Sequence, residues 1–195
     1  MGGVDGPAPF SPSGRRDAIL AAALELFRQR GYHCVGVDEI GAAAGISGPG
    51  VYRHFRGKSS LLVALFDTIT ERMLVGAEEI QKSDCPPVEM LDRLVSFHAA
   101  TAVEERALLA VWLQDWRSVP SADEERIRRC QAEYVGIWLA TLARVRPELG
   151  PPEAETVVHA AFGAINSVAV HDSGLPAEPL RAFLGDAARA VLRTG

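Results

Sequence analysis

The sequence predicts an all-α protein of about nine helices. Apolar residues recur at three- and four-residue spacing over long stretches. No run alternates apolar and polar residues, and no hairpin dipeptide joins such runs. Pro120, Pro147, Pro151, Pro152 and Pro176 fall in the joints, where helices must stop. The pattern divides into an N-terminal three-helix head, a long connecting helix and an α-helical bundle.

Residues 1–12 are rich in Gly and Pro and read as a disordered arm. Ser13 stands where an N-cap belongs. A helix follows over 15–30, with Ile19, Leu20, Ala23, Leu24 and Phe27 as one apolar stripe and Gly31 in the C′ place. Residues 38–44 form a short helix with Ile40, Ala43 and Ala44 inward, ended by Gly45. Ser47 caps another that reaches Phe55. Lys58 or Ser59 opens a long helix through about Gln81, with Leu62, Leu65, Phe66, Ile69 and Met73 on one face. After Cys85, Pro86 and Pro87 the helices fall at about 88–103, 105–118, 122–146, 152–171 and 177–193. The expected organisation is an arm at 1–12, a head at 13–58, a connecting helix at 58–81 and a C-terminal domain at 82–195.

The 195 residues carry a net charge of −5, and 48% are hydrophobic, which is ordinary globular composition. Such a charge excludes a chain that binds nucleic acid non-specifically along its whole surface. Residues 1–60 nevertheless sum to +2 and the remainder to −7, so only the head is suited to a polyanion, unless the unevenness is chance. The most apolar stretch, 156–170, is too short to span a bilayer and contains His159 and Asn166. No basic start followed by an apolar run marks a secretory signal, so a cytoplasmic protein without a membrane role is expected. Cys34, Cys85 and Cys130 are widely spaced and read as unpaired thiols in a reducing compartment.

The informative stretch is 37–55. Two short helices flank Gly45, which can take the positive φ that a tight turn needs. Ala43 and Ala44 are small enough for the helices to cross closely, and Ile46 and Val51 supply buried contacts. This builds a helix-turn-helix whose second helix presents its N-terminal residues to base edges in a major groove. Gly48, Pro49 and Gly50 open that helix, although two glycines cost about 1 kcal/mol each against alanine. Bare backbone there is explained if the helix start must press against DNA, with Pro49 on a thymine methyl. Arg53 suits bidentate contact with guanine or phosphate. Tyr52 and His54 suit phosphates. Lys58, at the start of the next helix, adds its charge to the helix dipole there. The expected DNA-binding set is Ser47, Gly48, Pro49, Gly50, Val51, Tyr52, Arg53, His54 and Lys58.

Residues 15–68 closely resemble the DNA-binding head of TetR/AcrR-like transcriptional regulators. The matches lie in Arg15-Arg16-Asp17-Ala18-Ile19-Leu20, Gly31-Tyr32, Ile40-Gly41-Ala42-Ala43-Ala44-Gly45-Ile46-Ser47, Val51-Tyr52-Arg53-His54-Phe55 and Lys58-Ser59-Ser60-Leu61-Leu62. The resemblance implies an all-α homodimer, usually a repressor, that leaves a palindromic operator when a small molecule binds its C-terminal domain. By position, the family's tyrosine-x-histidine-phenylalanine run and lysine fall on Tyr52, His54, Phe55 and Lys58. The sequence departs from the family just before the first helix of the motif. Val35 and Gly36 stand where Ser or Thr often caps that helix and touches phosphate. Asp38 is the alternative cap, but its charge would repel phosphate.

The C-terminal part resembles the family in plan only. Trp112 and Trp116 share one helix face, and Tyr134 and Trp138 another, with Phe97 and Phe162 placed to close one cluster. The functional reading is an aromatic pocket for a lipophilic or amphipathic effector, and the competing one is ordinary core packing. Arg126, Arg128, Arg129, Arg144 and Arg146 offer an anionic site, for an acyl-CoA or another lipophilic acid. Glu124, Glu125, Glu133 and Glu148 lie beside them, as on a solvated face. The expected dimer surface joins Ala160, Gly163 and Ala164, small enough for close approach, to the stripe Leu180, Phe183, Leu184, Ala187 and Val191. The same stripe also suits packing within one chain.

No nucleophile elbow, dinucleotide fingerprint, phosphate-binding loop or paired-histidine metal motif is present. His33, His54, His98, His159 and His171 are scattered; His98 and His159 fit a core or pocket wall better than a catalytic site. No enzyme, cofactor or metal is expected. The second reading is a DNA-binding regulator governed by a protein partner or by redox state, the latter through Cys85, and a small all-α enzyme is the remote alternative.

Overall fold

The computed structural model describes residues 14–194, so the arm at 1–12 and the Ser13 cap lie outside the described residues. Among these, nine α-helices form and no strand. They are α1 (Arg15–Arg30), α2 (Val37–Ala43), α3 (Gly48–Val51), α4 (Lys58–Lys82), α5 (Pro87–Glu104), α6 (Arg106–Asp115), α7 (Ser121–Val145), α8 (Pro151–Asn166) and α9 (Ala177–Leu192). Pro87 and Pro151 each occupy a first helical position, where the missing N–H costs nothing. Gly31 ends α1 at φ 78°, its N–H on the Phe27 carbonyl at 2.8 Å.

Three helices are shorter than their sequence patterns. The second helix of the motif is one turn, ending at Val51 rather than Phe55, and residues 52–54 continue as hydrogen-bonded turns. Two glycines in four residues leave little to propagate a helix. The pattern over 105–118 divides into α6 and a 3-10 turn at Trp116–Ser118. The pattern over 152–171 ends as α-helix at Asn166 and tightens into a 3-10 turn at Ser167–Ala169.

The described residues form two compact units. The first holds residues up to Ile69 together with Glu104–Arg126. Its core joins the α1 stripe (Ile19, Leu20, Ala23, Leu24, Phe27) with Ile40, Val51, Phe55, Leu61, Leu62, Leu65 and Phe66, and with Leu108 and Val111 of α6. The sequence places 104–126 in the C-terminal domain, yet these residues pack with the head. Helix α6 lies on α1, and the buried Asp115 carboxylate accepts the Tyr32 N–H at 3.2 Å. Ser118 Oγ meets His33 Nε2 at 3.0 Å, and Arg126 grips Asp67 with two nitrogens.

The second unit holds Thr70–Val103 and the described residues from Ile127 on. Leu94, Val95, Trp138, Leu142, Val158, Ala161, Ile165 and Ala188 are fully or almost fully buried in it. Helices α8 and α9 pack against each other, and Arg189 ties α9 to α5 through Asp92 and Ser96.

Candidate functional site

The motif at 37–55 is held by glycine, not alanine. Gly45 turns the chain at φ 69°. The close crossing of α2 and α3 falls at Gly41, where an added methyl would lie 3.1 Å from the Ile46 carbonyl oxygen and 3.2 Å from Gly48 N. Ala43, expected to face inward, is exposed, and Ala44 is half-buried. The inward face runs through Ile40, Gly41 and Ala44, which rotates Ala43 out of the crossing.

The missing Ser or Thr cap on α2 is replaced from inside the helix. The Glu39 carboxylate accepts the Gly36 N–H at 2.8 Å and an Arg30 N–H at 2.6 Å. That backbone bond, then the arginine, lowers the Glu39 carboxyl below the ordinary carboxylate range. Asp38 is therefore not the cap. Its carboxylate lies over Gly48, where an added methyl would meet Asp38 Oδ1 at 1.7 Å. Ser47 occupies the cap position of α3 but makes no side-chain capping bond.

The sequence-derived DNA-binding set divides by exposure. Ser47, Pro49, Tyr52, Arg53 and His54 are exposed and Gly50 is half-buried, whereas Gly48 and Val51 are buried in the motif. Phe55 is also interior, with the Arg16 guanidinium 4.8 Å from its ring centroid. Arg56, which sequence reasoning passed over, is exposed beside this face; its place in the basic run 53–58 was the available signal. No ion pair ties Arg53 or Arg56 to another described residue.

Lys58 sits otherwise than expected. Its ammonium donates to the Tyr32 carbonyl at 2.8 Å and the His33 carbonyl at 3.4 Å, 4.3 Å from the Tyr32 ring centroid. It closes the turn between α1 and α2 with a charge the sequence assigned to phosphate.

The six aromatics expected as one cluster are divided between the units. Trp112 and Trp116 pack on Phe66 in the first, Trp112 tilted at a centroid separation of 4.7 Å and Trp116 stacked at 6.1 Å. Phe97 packs on Gly76, where an added methyl would meet the ring at 2.1 Å. Tyr134, Trp138 and Phe162 meet one another, and they do so around His98. His98 is fully enclosed: Nδ1 lies 3.1 Å from the Tyr134 hydroxyl and Nε2 3.1 Å from Asn166 Oδ1. Burial pushes the imidazole down to about 4, against a smaller upward pull from Asn166. Burial likewise pushes the Tyr134 phenol far up. Asn166 was not singled out as a site residue, although a lone amide in the most apolar stretch was a signal.

Of the arginines, Arg126 is committed to Asp67 and Asp123, and Arg146 to Glu148 and the Leu192 carbonyl. Arg128, Arg129 and Arg144 are exposed. On α8 and α9 the expected dimer residues face two ways. Leu180 and Leu184 belong to the chain's own core, and Ala164, Ala187 and Val191 are half-buried. Ala160, Gly163 and Phe183 are exposed, Phe183 at 69%. No helix among the described residues is long and apolar enough to cross a membrane.

The family model described as bacterial regulatory proteins, tetR family, matches residues 19–65. A second, described as tetracyclin repressor-like, C-terminal domain, matches residues 84–170. The chain is 40% identical over 65 residues to the HTH-type transcriptional activator FasR of Mycolicibacterium smegmatis, covering 33% of this chain and 30% of FasR. It is 32% identical over 143 residues to an uncharacterised HTH-type transcriptional regulator of Mycobacterium tuberculosis, covering 72% of this chain and 66% of that protein. Among solved structures, a TetR-family transcriptional regulator from Bordetella parapertussis 12822 superposes with a TM-score of 0.85 at 18% identity, over 93% of this chain and 95% of that one.

Proposed function

This chain belongs to the TetR family of bacterial regulatory proteins and is a transcriptional regulator; from that premise we propose how it works. It acts in the cytoplasm as a homodimer, a repressor that holds a two-fold operator and leaves it when a small lipophilic molecule binds the second unit. The observation that carries this reading is the motif surface itself. A one-turn helix opened by Gly48-Pro49-Gly50 leaves Ser47, Pro49, Tyr52, Arg53 and His54 exposed together. Arg53 and Arg56 have no intramolecular partner among the described residues to be displaced before meeting DNA.

Pairing through the exposed faces of α8 and α9 supplies two heads for half-sites about 34–36 Å apart, or a multiple of that. Ala160 and Gly163 permit close approach and Phe183 supplies apolar area. Of the two effector chemistries, the aromatic wall around His98 favours an apolar molecule over an anion such as an acyl-CoA. The effector need only bind the released state more tightly than the operator-bound state.

Binding to duplexes from the region upstream of the chain's own coding sequence tests this. Sequence-preferring affinity that falls steeply with salt supports it. Equal affinity for every duplex contradicts it. Control by a protein partner remains the second reading, favoured by operator binding that no small molecule alters.

A further inference from the structure

Gly48 opens α3 without a side chain, and the Asp38 carboxylate fills the space one would take. A methyl built on Gly48 would fall on Asp38 Oδ1 and lie 2.9 Å from Asp38 Cγ. Gly48 is buried, whereas Asp38, reaching over it from α2, is exposed. One helix of the motif therefore delivers an acid to the leading end of the other. Ser47 and Pro49, the neighbours of Gly48 in the chain, are exposed as well. Asp38 has no hydrogen bond or ion pair with another described residue, and Arg30, the arginine that pairs with α2, is taken by Glu39 at 2.6 Å.

A carboxylate on a surface that meets phosphates is repelled by them, and it can only accept hydrogen bonds. Among base edges in a major groove, the donors are cytosine N4 and adenine N6; guanine O6 and N7 and thymine O4 are acceptors. Adenine sets its N7 acceptor beside N6, against the second carboxylate oxygen, whereas the edge of cytosine offers a donor alone. Resting on the reading that α3 enters a major groove, we infer that Asp38 is a specificity-determining residue. Its carboxylate accepts an N4 hydrogen of one cytosine in each half-site, at the place where residue 48 has no side chain to offer. The charge that opposes phosphate contact by α2 thereby selects one base pair.

The test passes a library of random-sequence duplexes over the full chain, as wild type and as Asp38→Asn, at about 0.15 M salt, and sequences what each retains. Asparagine keeps the shape over Gly48 and adds donors, the arrangement that pairs with adenine N6 and N7. Wild type should retain cytosine at one position of the half-site. Asp38→Asn should lose that preference, or exchange it for adenine, and leave the other positions unchanged. On the retained duplex, exchanging that C·G pair for T·A should weaken wild type about tenfold and the variant less than about threefold. Gly48→Ala forces the Asp38 carboxylate aside and should relax the same position. The inference is overturned, without recourse to a variant, if wild type tolerates thymine at every cytosine it retains. It is equally overturned if Asp38→Asn keeps the cytosine preference, or if it gains affinity equally for all sequences, which marks Asp38 as a general repeller of phosphate. A wild type that retains no preferred sequence overturns the groove reading with it, whereas the other adverse outcomes leave that reading standing.

Discussion

An added methyl on Gly41 would lie 3.2 Å from the backbone nitrogen of Gly48, so the two helices of the DNA-binding motif meet main chain to main chain. The neighbouring atoms are backbone and cannot swing aside. Gly41→Ala should push α3 outward by tenths of an ångström and cost about 1–2 kcal/mol by overpacking. Operator affinity should fall as well, because the exposed residues of α3 move with it. Ala43→Ser, at an exposed position of the same helix, should leave both unchanged within about 0.5 kcal/mol. Urea unfolding and a DNA titration on the two variants check this.

Lys58 should behave as a structural cation. Lys58→Met keeps the aliphatic stem and removes the donor to the Tyr32 and His33 carbonyls and the charge over the Tyr32 ring. A stability loss of about 1 kcal/mol is expected. The slope of log affinity against log salt should change by less than one unit, whereas Arg53→Ala should flatten it by about one if Arg53 meets a phosphate. If Arg53 instead reads a base, the loss should be about 1–3 kcal/mol at one operator position. Binding isotherms at several salt concentrations distinguish the cases.

The buried His98 fixes an acid limit. Its folded-state value near 4 lies below the unfolded value of 6.5, so the unfolded chain binds more protons between those limits. Stability therefore decreases as pH falls from about 6.5 towards 4, by up to about 3 kcal/mol from this group. Against wild type, His98→Gln should show a flatter stability profile across that window. Thermal unfolding of both proteins over the range measures the difference.

Phe183 and Leu184 are adjacent and should fail differently. Leu184 is buried in its own subunit, so Leu184→Ala should cost about 2–4 kcal/mol of fold stability. Phe183 is exposed, so Phe183→Glu should shift sedimentation towards a single subunit while the helical spectrum is retained. An unchanged dimer in Phe183→Glu removes that residue from the interface.

Helix placement was readable from local signals. Prolines 87 and 151 mark helix starts and Gly31 and Gly45 mark ends, each through its own backbone restriction. What escaped depends on contacts between residues far apart in the chain. Nothing local shows that Asp115 receives the Tyr32 N–H 83 positions away, and so nothing local assigns α6 to the head's packing unit. The aromatic residues had the right helical spacing, but spacing fixes a face on one helix and not the helix it meets. Lys58 had a charge suited to phosphate, and two carbonyls of its own chain hold it. Ala43 and Gly41 differ in the phase of one short helix, which seven residues define poorly.

The measurement closest to the centre of this account is a titration of the purified chain with duplexes from its upstream region and with scrambled duplexes of equal length, at about 0.15 M salt, with the complex weighed by sedimentation. Two subunits, or a multiple of two, should sit on a preferred duplex, bound about a thousandfold or more tighter than the scrambled one. Arg53→Ala should lower the preferred affinity. One subunit per duplex, or equal affinity for both sequences, would rule out a dimer that reads sequence.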